Sequence, residues 1–146
     1  SPRAYSNAMS RDLGWYGGVD IRRSLPEGYD TFRNDHDKQA ISDFINQLDK
    51  NMSLVIVNEF YDEGLVLLMH KLKLPLDDIR YVPAKVDDVP PTQPTEEQLR
   101  VLREQYLTVD VPLYEHFRRR FLREWEERGG YGALGAELDE LRARNR

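Results

Sequence analysis

The sequence contains no cysteine, which excludes disulfides, thiolate metal sites and cysteine nucleophiles. It has three histidines, His36, His70 and His116. None lies at the short spacing that sets two imidazoles on one helix face, so no zinc pair is expected, and no residue is assigned as a metal ligand. No run approaches ~20 apolar residues, so no membrane-spanning segment is expected, and no stretch reads as a signal peptide. A P-loop, a Gly-rich dinucleotide fingerprint, a Ser-centred nucleophile elbow and a metalloprotease helix are all missing. An excess of positive charge is missing too. The 21 basic and 26 acidic side chains leave a formal net charge of -5, so no nucleic-acid partner is expected, and any anion site would need a local basic cluster.

What is present fits one ordinary domain or a piece of a larger one: 146 residues, 40% hydrophobic and 32% charged, enough for a modest core. The chain begins Ser1-Pro2-Arg3 without an initiator Met, which reads as a processed or truncated N-terminus. Ser6-Asn7-Ala8-Met9 reads equally as a cloning scar or as native sequence. Residues 1–35 are punctuated by Gly14, Gly17, Gly18, Pro26 and Gly28 and read as an extended or loop segment. Within it Trp15 and Tyr16 are expected to anchor by packing, with substrate stacking as the alternative.

The pattern turns periodic after Asp35. Ile41, Phe44, Ile45 and Leu48 fall at helical spacing, with Asp35 or Asp37 as a favourable N-terminal charge. Leu54-Val55-Ile56-Val57 is a short, β-branched apolar run and reads as a buried strand. An acidic-aromatic turn and a second apolar helix, Leu65 to Leu72, follow. Leu76-Asp77-Asp78-Ile79 reads as a helical turn, and Arg80-Tyr81-Val82 as a second short strand. Residues 36–85 thus form an expected helix-strand-helix-strand α/β core, residues 86–94 a Pro-rich linker, and residues 95–146 a helical C-terminal segment. There Thr95 and Gln98 have capping-box spacing. Asp110 can cap the next helix, with Pro112 tolerated in its first turn. Leu113, Phe117, Phe121 and Trp125 form one stripe, and Gly129-Gly130 stops that helix. Leu134, Leu138 and Leu141 mark the last amphipathic segment.

Ligands of open α/β sheets bind beyond the carboxyl ends of strands, so the turn after Val57 is the candidate site. Glu59, Asp62 and Glu63 could hold a base, accept from sugar hydroxyls or meet a hard cation. The plainer reading is that acids at a helix start complement its dipole. Arg118, Arg119 and Arg120 are the densest basic cluster and the anion-binding candidates, although Glu124, Glu126 and Glu127 nearby suit an ordinary solvated face. His70 and His116 lie in apolar helices and read as structural.

Asp43 to Asp49, followed by Leu54-Val55-Ile56-Val57-Asn58-Glu59-Phe60-Tyr61-Asp62-Glu63-Gly64-Leu65-Val66-Leu67-Leu68, resembles the galactose 3-O-sulfotransferase family. That family carries a turn close to E-Y-F-D-E-S-L-V-L-L; here the two aromatics are swapped and Gly64 replaces Ser. The resemblance extends to Leu76-Asp77-Asp78-Ile79-Arg80-Tyr81, to Asn7 through Gly14 with its D-L-G ending, and to Leu113-Tyr114-Glu115-His116-Phe117.

The resemblance implies the C-terminal portion of a P-loop-like sulfotransferase fold: an α/β fold, mostly helical, with one or two short parallel strands. It implies a Golgi or secretory-pathway carbohydrate sulfotransferase that moves a sulfuryl group from 3′-phosphoadenylyl sulfate to a galactose or glycan hydroxyl. The family's donor motifs precede the matched part, so no catalytic or cofactor-binding residue is carried over. Glu59, Tyr61, Asp62 and Glu63 are carried as acceptor-side or structural candidates. The implied partners are another chain or the missing N-terminal half, and a glycan acceptor. The alternative is a non-catalytic structural or protein-interaction subunit derived from the same fold.

Overall fold

The computed structural model describes residues 6–15, 35–82 and 92–145. Tyr16 and most of the proposed 86–94 linker lie outside the described residues. The chain divides into two compact units: Ser1–Met52 with Thr92–His116, and Ser53–Pro91 with Phe117–Arg146.

In the first unit, α1 (Ala8–Asp12) is a single helical turn within the segment read as extended or loop. Helix α2 (Lys38–Asn51) begins at Asp37, whose carboxylate accepts from the Gln39 and Ala40 amides at 3.0 Å. The expected apolar stripe is the inward one, with Ile41 and Ile45 buried. Trp15 is buried, packs on Phe44 with ring centroids 5.3 Å apart, and donates from Nε1 to Asp35 at 2.6 Å. It is an anchor. Helix α3 (Tyr61–Leu72) comes next in the chain, in the second unit, and helix α4 returns to the first. It runs Glu96–Val101 and has the expected capping box between Thr95 and Gln98. It continues into a π-helical turn, Leu102–Tyr106, closed by Leu107 N–H donating to the Leu102 carbonyl at 2.8 Å.

Helix α5 (Asp110–Glu127) starts in this unit. Asp110 does not cap it. Asn7 does: its Oδ1 accepts from the Val109 and Asp110 amides at 2.8 and 3.1 Å. The Asp110 carboxylate instead accepts from the Met9 and Ser10 amides of α1 at 3.2 and 2.7 Å, and from the Ser10 hydroxyl. The two helices cap each other. Ser6, Asn7 and Ser10 are buried, so Ser6-Asn7-Ala8-Met9 is an integral part of the fold.

The second unit holds α3 (Tyr61–Leu72), the remainder of α5, and α6 (Gly130–Arg144). Its core gathers Val66, Leu67 and Met69 of α3, Phe121 and Trp125 of α5, and Leu134, Leu138 and Leu141 of α6. Burying each such large side chain contributes about 1.5–3 kcal/mol. Gly129, with φ of 103°, turns the chain between α5 and α6 in the left-handed region that glycine tolerates.

The α/β expectation is overturned. The regular elements among the described residues are all helices, with no strand. Leu54–Val57 has no regular structure; Val57 is extended, at φ −91° and ψ 133°, but a strand also needs a ladder partner. The second expected strand has other bonds. The Tyr81 amide donates to Asn145 Oδ1 at 3.2 Å, and Arg80 donates to the Arg144 carbonyl at 3.0 Å. The apolar run finds its burial on helices instead. It lies so close to α3 that a Cβ on Gly64 would sit 2.4 Å from Ile56 Cγ2.

Candidate functional site

The acidic-aromatic turn lies wholly in the second unit. After the apolar run, Asn58–Phe60 form one 3₁₀ turn, and α3 starts at Tyr61 without a side-chain cap. Asp62 and Glu63 therefore occupy the first turn of α3, where the helix dipole favours negative charge.

Both acids are also claimed from α6. Arg142 donates from Nε to Asp62 Oδ2 and from Nη2 to Glu63 Oε1, each at 3.0 Å. Tyr131 donates to the same Glu63 oxygen at 3.0 Å, and Tyr81 donates to Asp62 Oδ1 at 2.7 Å. Two carboxylates, one guanidinium and two phenols thus form a connected network, with the Glu63 side chain only 8% exposed. The hydrogen bond to Asp62 is the main reason that the Tyr81 phenol is held above the ordinary tyrosine range, with burial adding to it. For Tyr131, burial comes first and the bond to Glu63 second, again upward. Arg142 is pushed above the usual arginine range chiefly by its bond to Asp62.

Glu59 is placed differently. Its side chain is 41% exposed, and Arg118 Nε approaches it at 3.3 Å. The Arg118 guanidinium lies 5.7 Å from the centre of the Phe60 ring, which stacks on Phe121 at 5.6 Å. Tyr61 is exposed at 43% and meets Tyr81 edge-on at 5.2 Å. The four turn residues therefore divide into two kinds. Asp62 and Glu63 are engaged in holding α6 to α3, whereas Glu59 and Tyr61 present surface that a ligand could reach.

The three arginines do not converge. Arg118 pairs with Glu59, Arg119 is exposed, and Arg120 donates to the Ser53 carbonyl at 3.4 Å with its guanidinium 5.8 Å from the Phe117 ring. Successive helical residues point about 100° apart, which prevents a run of three from forming one cradle. His70 pairs with Glu137, and in the first unit His116 pairs with Asp49 at 3.3 Å. Among the described residues no group of three His, Asp or Glu could hold a metal ion.

Sequence reasoning missed Arg142, Tyr131 and Tyr81. One signal was available: Arg142 stands in the last turn of an amphipathic helix otherwise rich in acids, among them Glu137, Asp139 and Glu140.

Comparison with known proteins supplies the remaining finding. Residues 3–146 match the sequence model of a family described as galactose-3-O-sulfotransferase. The chain is similar to human galactose-3-O-sulfotransferase 2, 27% identical over 99% of this chain and 34% of the relative. It is also similar to mouse galactose-3-O-sulfotransferase 3, 34% identical over 79% of this chain and 27% of the relative. Mouse galactosylceramide sulfotransferase is 30% identical over 81% of this chain and 27% of its own length. The chain thus spans about a third or less of the curated relatives it matches. No solved structure matches it.

Proposed function

Because this chain belongs to the galactose-3-O-sulfotransferase family, we propose that it is part of a sulfotransferase-like protein acting on a galactose or glycan hydroxyl in the secretory pathway. The donor in this reading is 3′-phosphoadenylyl sulfate. The acceptor oxygen attacks the sulfur, the bond from sulfur to the 5′-phosphate oxygen breaks, and 3′-phosphoadenosine 5′-phosphate leaves while a base takes the hydroxyl proton. Such chemistry needs cations and backbone N–H groups around the phosphosulfate and a base at the acceptor. The observation that carries the reading is the family match along residues 3–146.

The donor site falls outside this chain, which has no phosphate-cradling Gly-rich loop. On the acceptor side, Glu59 and Tyr61 are the groups of the turn with exposed surface. Asp62 and Glu63 act as structure, because Arg142, Tyr81 and Tyr131 already use their oxygens. That engagement is also what favours the second reading, a non-catalytic subunit that keeps this part of the fold for its stability.

Calorimetric titration with 3′-phosphoadenosine 5′-phosphate tests the reading. The isolated chain should not bind it. A longer protein carrying the remaining length of the relatives should bind one equivalent and sulfate a galactoside from the donor. A longer protein that binds no nucleotide and transfers nothing would establish the non-catalytic reading instead.

A further inference from the structure

In the second unit a polar groove is lined by Arg120, Arg123, Glu124, Glu127 and Arg128, at the C-terminal end of α5. The charges in it do not cancel. Glu124 is already neutralised by Lys71, whose Nζ lies 3.1 Å from its Oε1. No hydrogen bond or ion pair among the described residues engages the side chains of Arg123, Arg128 or Glu127. Leaving Arg120 aside, the groove holds two unengaged guanidiniums, Arg123 and Arg128, against one unengaged carboxylate, Glu127, in a chain whose net charge is -5.

A guanidinium offers a planar fork of donors that fits the oxygens of a sulfate or carboxylate, and it stays charged at every working pH. Arg123 and Arg128 are exposed, so binding an anion would cost them little desolvation. Arg120 is more fixed, by its contacts with the Ser53 carbonyl and the Phe117 ring. Glu127 adds a free acceptor beside these donors. A carboxylate acceptor would repel a bare anion, yet it suits the hydroxyls of a sugar. Donors for an oxyanion next to an acceptor for hydroxyls match one class of ligand, a saccharide that bears a sulfate.

The geometry points to this groove as a binding site for a sulfated saccharide, separate from the turn at Glu59 to Glu63. The choice of sulfate over other oxyanions rests on the proposed sulfuryl-transfer reading; the charge argument stands without it. The site would let the protein hold a sugar that is already sulfated.

The test uses the purified chain at low ionic strength, titrated with galactose 3-sulfate, with galactose and with inorganic sulfate, and followed by NMR shifts of arginine Nε–H and backbone amides. Galactose 3-sulfate should bind saturably, with galactose showing nothing and inorganic sulfate binding more weakly. The doubly substituted R123Q/R128Q chain should lose roughly tenfold in affinity, while R119Q, off the groove, should bind as before. Equal losses in R119Q and R123Q/R128Q would mean diffuse surface charge and would overturn the site. Inorganic sulfate binding as tightly as the sugar sulfate would overturn the saccharide assignment, and absence of saturable binding by the folded chain would overturn both. None of these outcomes depends on nucleotide binding or transfer by a longer protein, so a failed groove and a failed catalytic reading are told apart.

Discussion

Arg142 Nη2 donates to Glu63 Oε1 at 3.0 Å, and through Nε the same guanidinium reaches Asp62, tying the last turn of α6 to the first turn of α3. Glu63 is almost fully enclosed, whereas Arg142 is 44% exposed. Solvent therefore weakens the attraction but cannot replace the lost partner at Glu63. R142M should destabilise the chain by about 1–2 kcal/mol, below the cost of breaking a fully buried pair because of that exposure. R142K should fall between, since an ammonium cannot fork onto both acids. Urea denaturation of the three proteins checks the order, and an R142M chain as stable as the parent would show that Tyr131 and the helix dipole hold Glu63 unaided.

The phenols of the same network set an alkaline limit. Tyr81 and Tyr131 both have raised affinity for their protons in the folded chain, while in the unfolded chain they titrate near the ordinary value of about 10. Below that pH both states keep the protons and the contribution to stability is fully present. As pH rises through the tyrosine range the unfolded state releases its protons first, so stability falls until the folded phenols ionise too. Tyr81 and Tyr131 should therefore ionise late in a spectrophotometric titration. Y81F and Y131F should each remove one late step, and titration of all tyrosines in a single early phase would count against the network.

Where sequence and structure agree, the determinants are local. Asp37 caps α2, Thr95 and Gln98 box the start of α4, and Leu113, Phe117, Phe121 and Trp125 are buried at four-residue spacing. Each follows from chemistry within one or two helical turns. The strand reading of Leu54–Val57 failed because an apolar β-branched run reports its wish for burial and not its partner; α3, made accessible by Gly64, serves as well as a sheet. The candidate turn was legible as an acidic cluster, but its division into two acids locked by Arg142 and one that stays partly exposed beside Arg118 was not. That division depends on Arg142, 79 and 80 residues away.

The Gly64–Ile56 contact carries its own test. Alanine is favoured over glycine inside a helix by about 1 kcal/mol, so G64A would stabilise an unobstructed α3. Here the new Cβ would meet Ile56 Cγ2 at 2.4 Å, Cγ1 at 3.0 Å and Cβ at 3.1 Å. Overpacking of this kind costs about 1–3 kcal/mol, and G64A should be a net loss. Truncating the obstacle in G64A/I56A should make the two changes less than additive, because I56A removes the atoms that clash. A double-mutant cycle with no coupling would mean that the apolar run shifts away freely.

Asn7 is held both by its backbone angle and by its side-chain bonds. It stands at φ 49°, fully buried, and its side chain serves the Val109 and Asp110 amides and the Thr108 hydroxyl. Asn7→Ala would leave the Val109 and Asp110 amides at the start of α5 without that acceptor and force an alanine into the left-handed region. The expected cost is about 2–3 kcal/mol. Asn7→Gly loses the same side-chain bonds but adopts the backbone angle freely, so it should be the milder substitution by about 1 kcal/mol. That order agrees with the preference for glycine over alanine at a helix N-cap, the place Asn7 holds on α1. Thermal unfolding of the two variants measures the difference. If Asn7→Gly proves the more damaging, the left-handed angle contributes nothing, and the reciprocal capping of α1 and α5 alone fixes this residue.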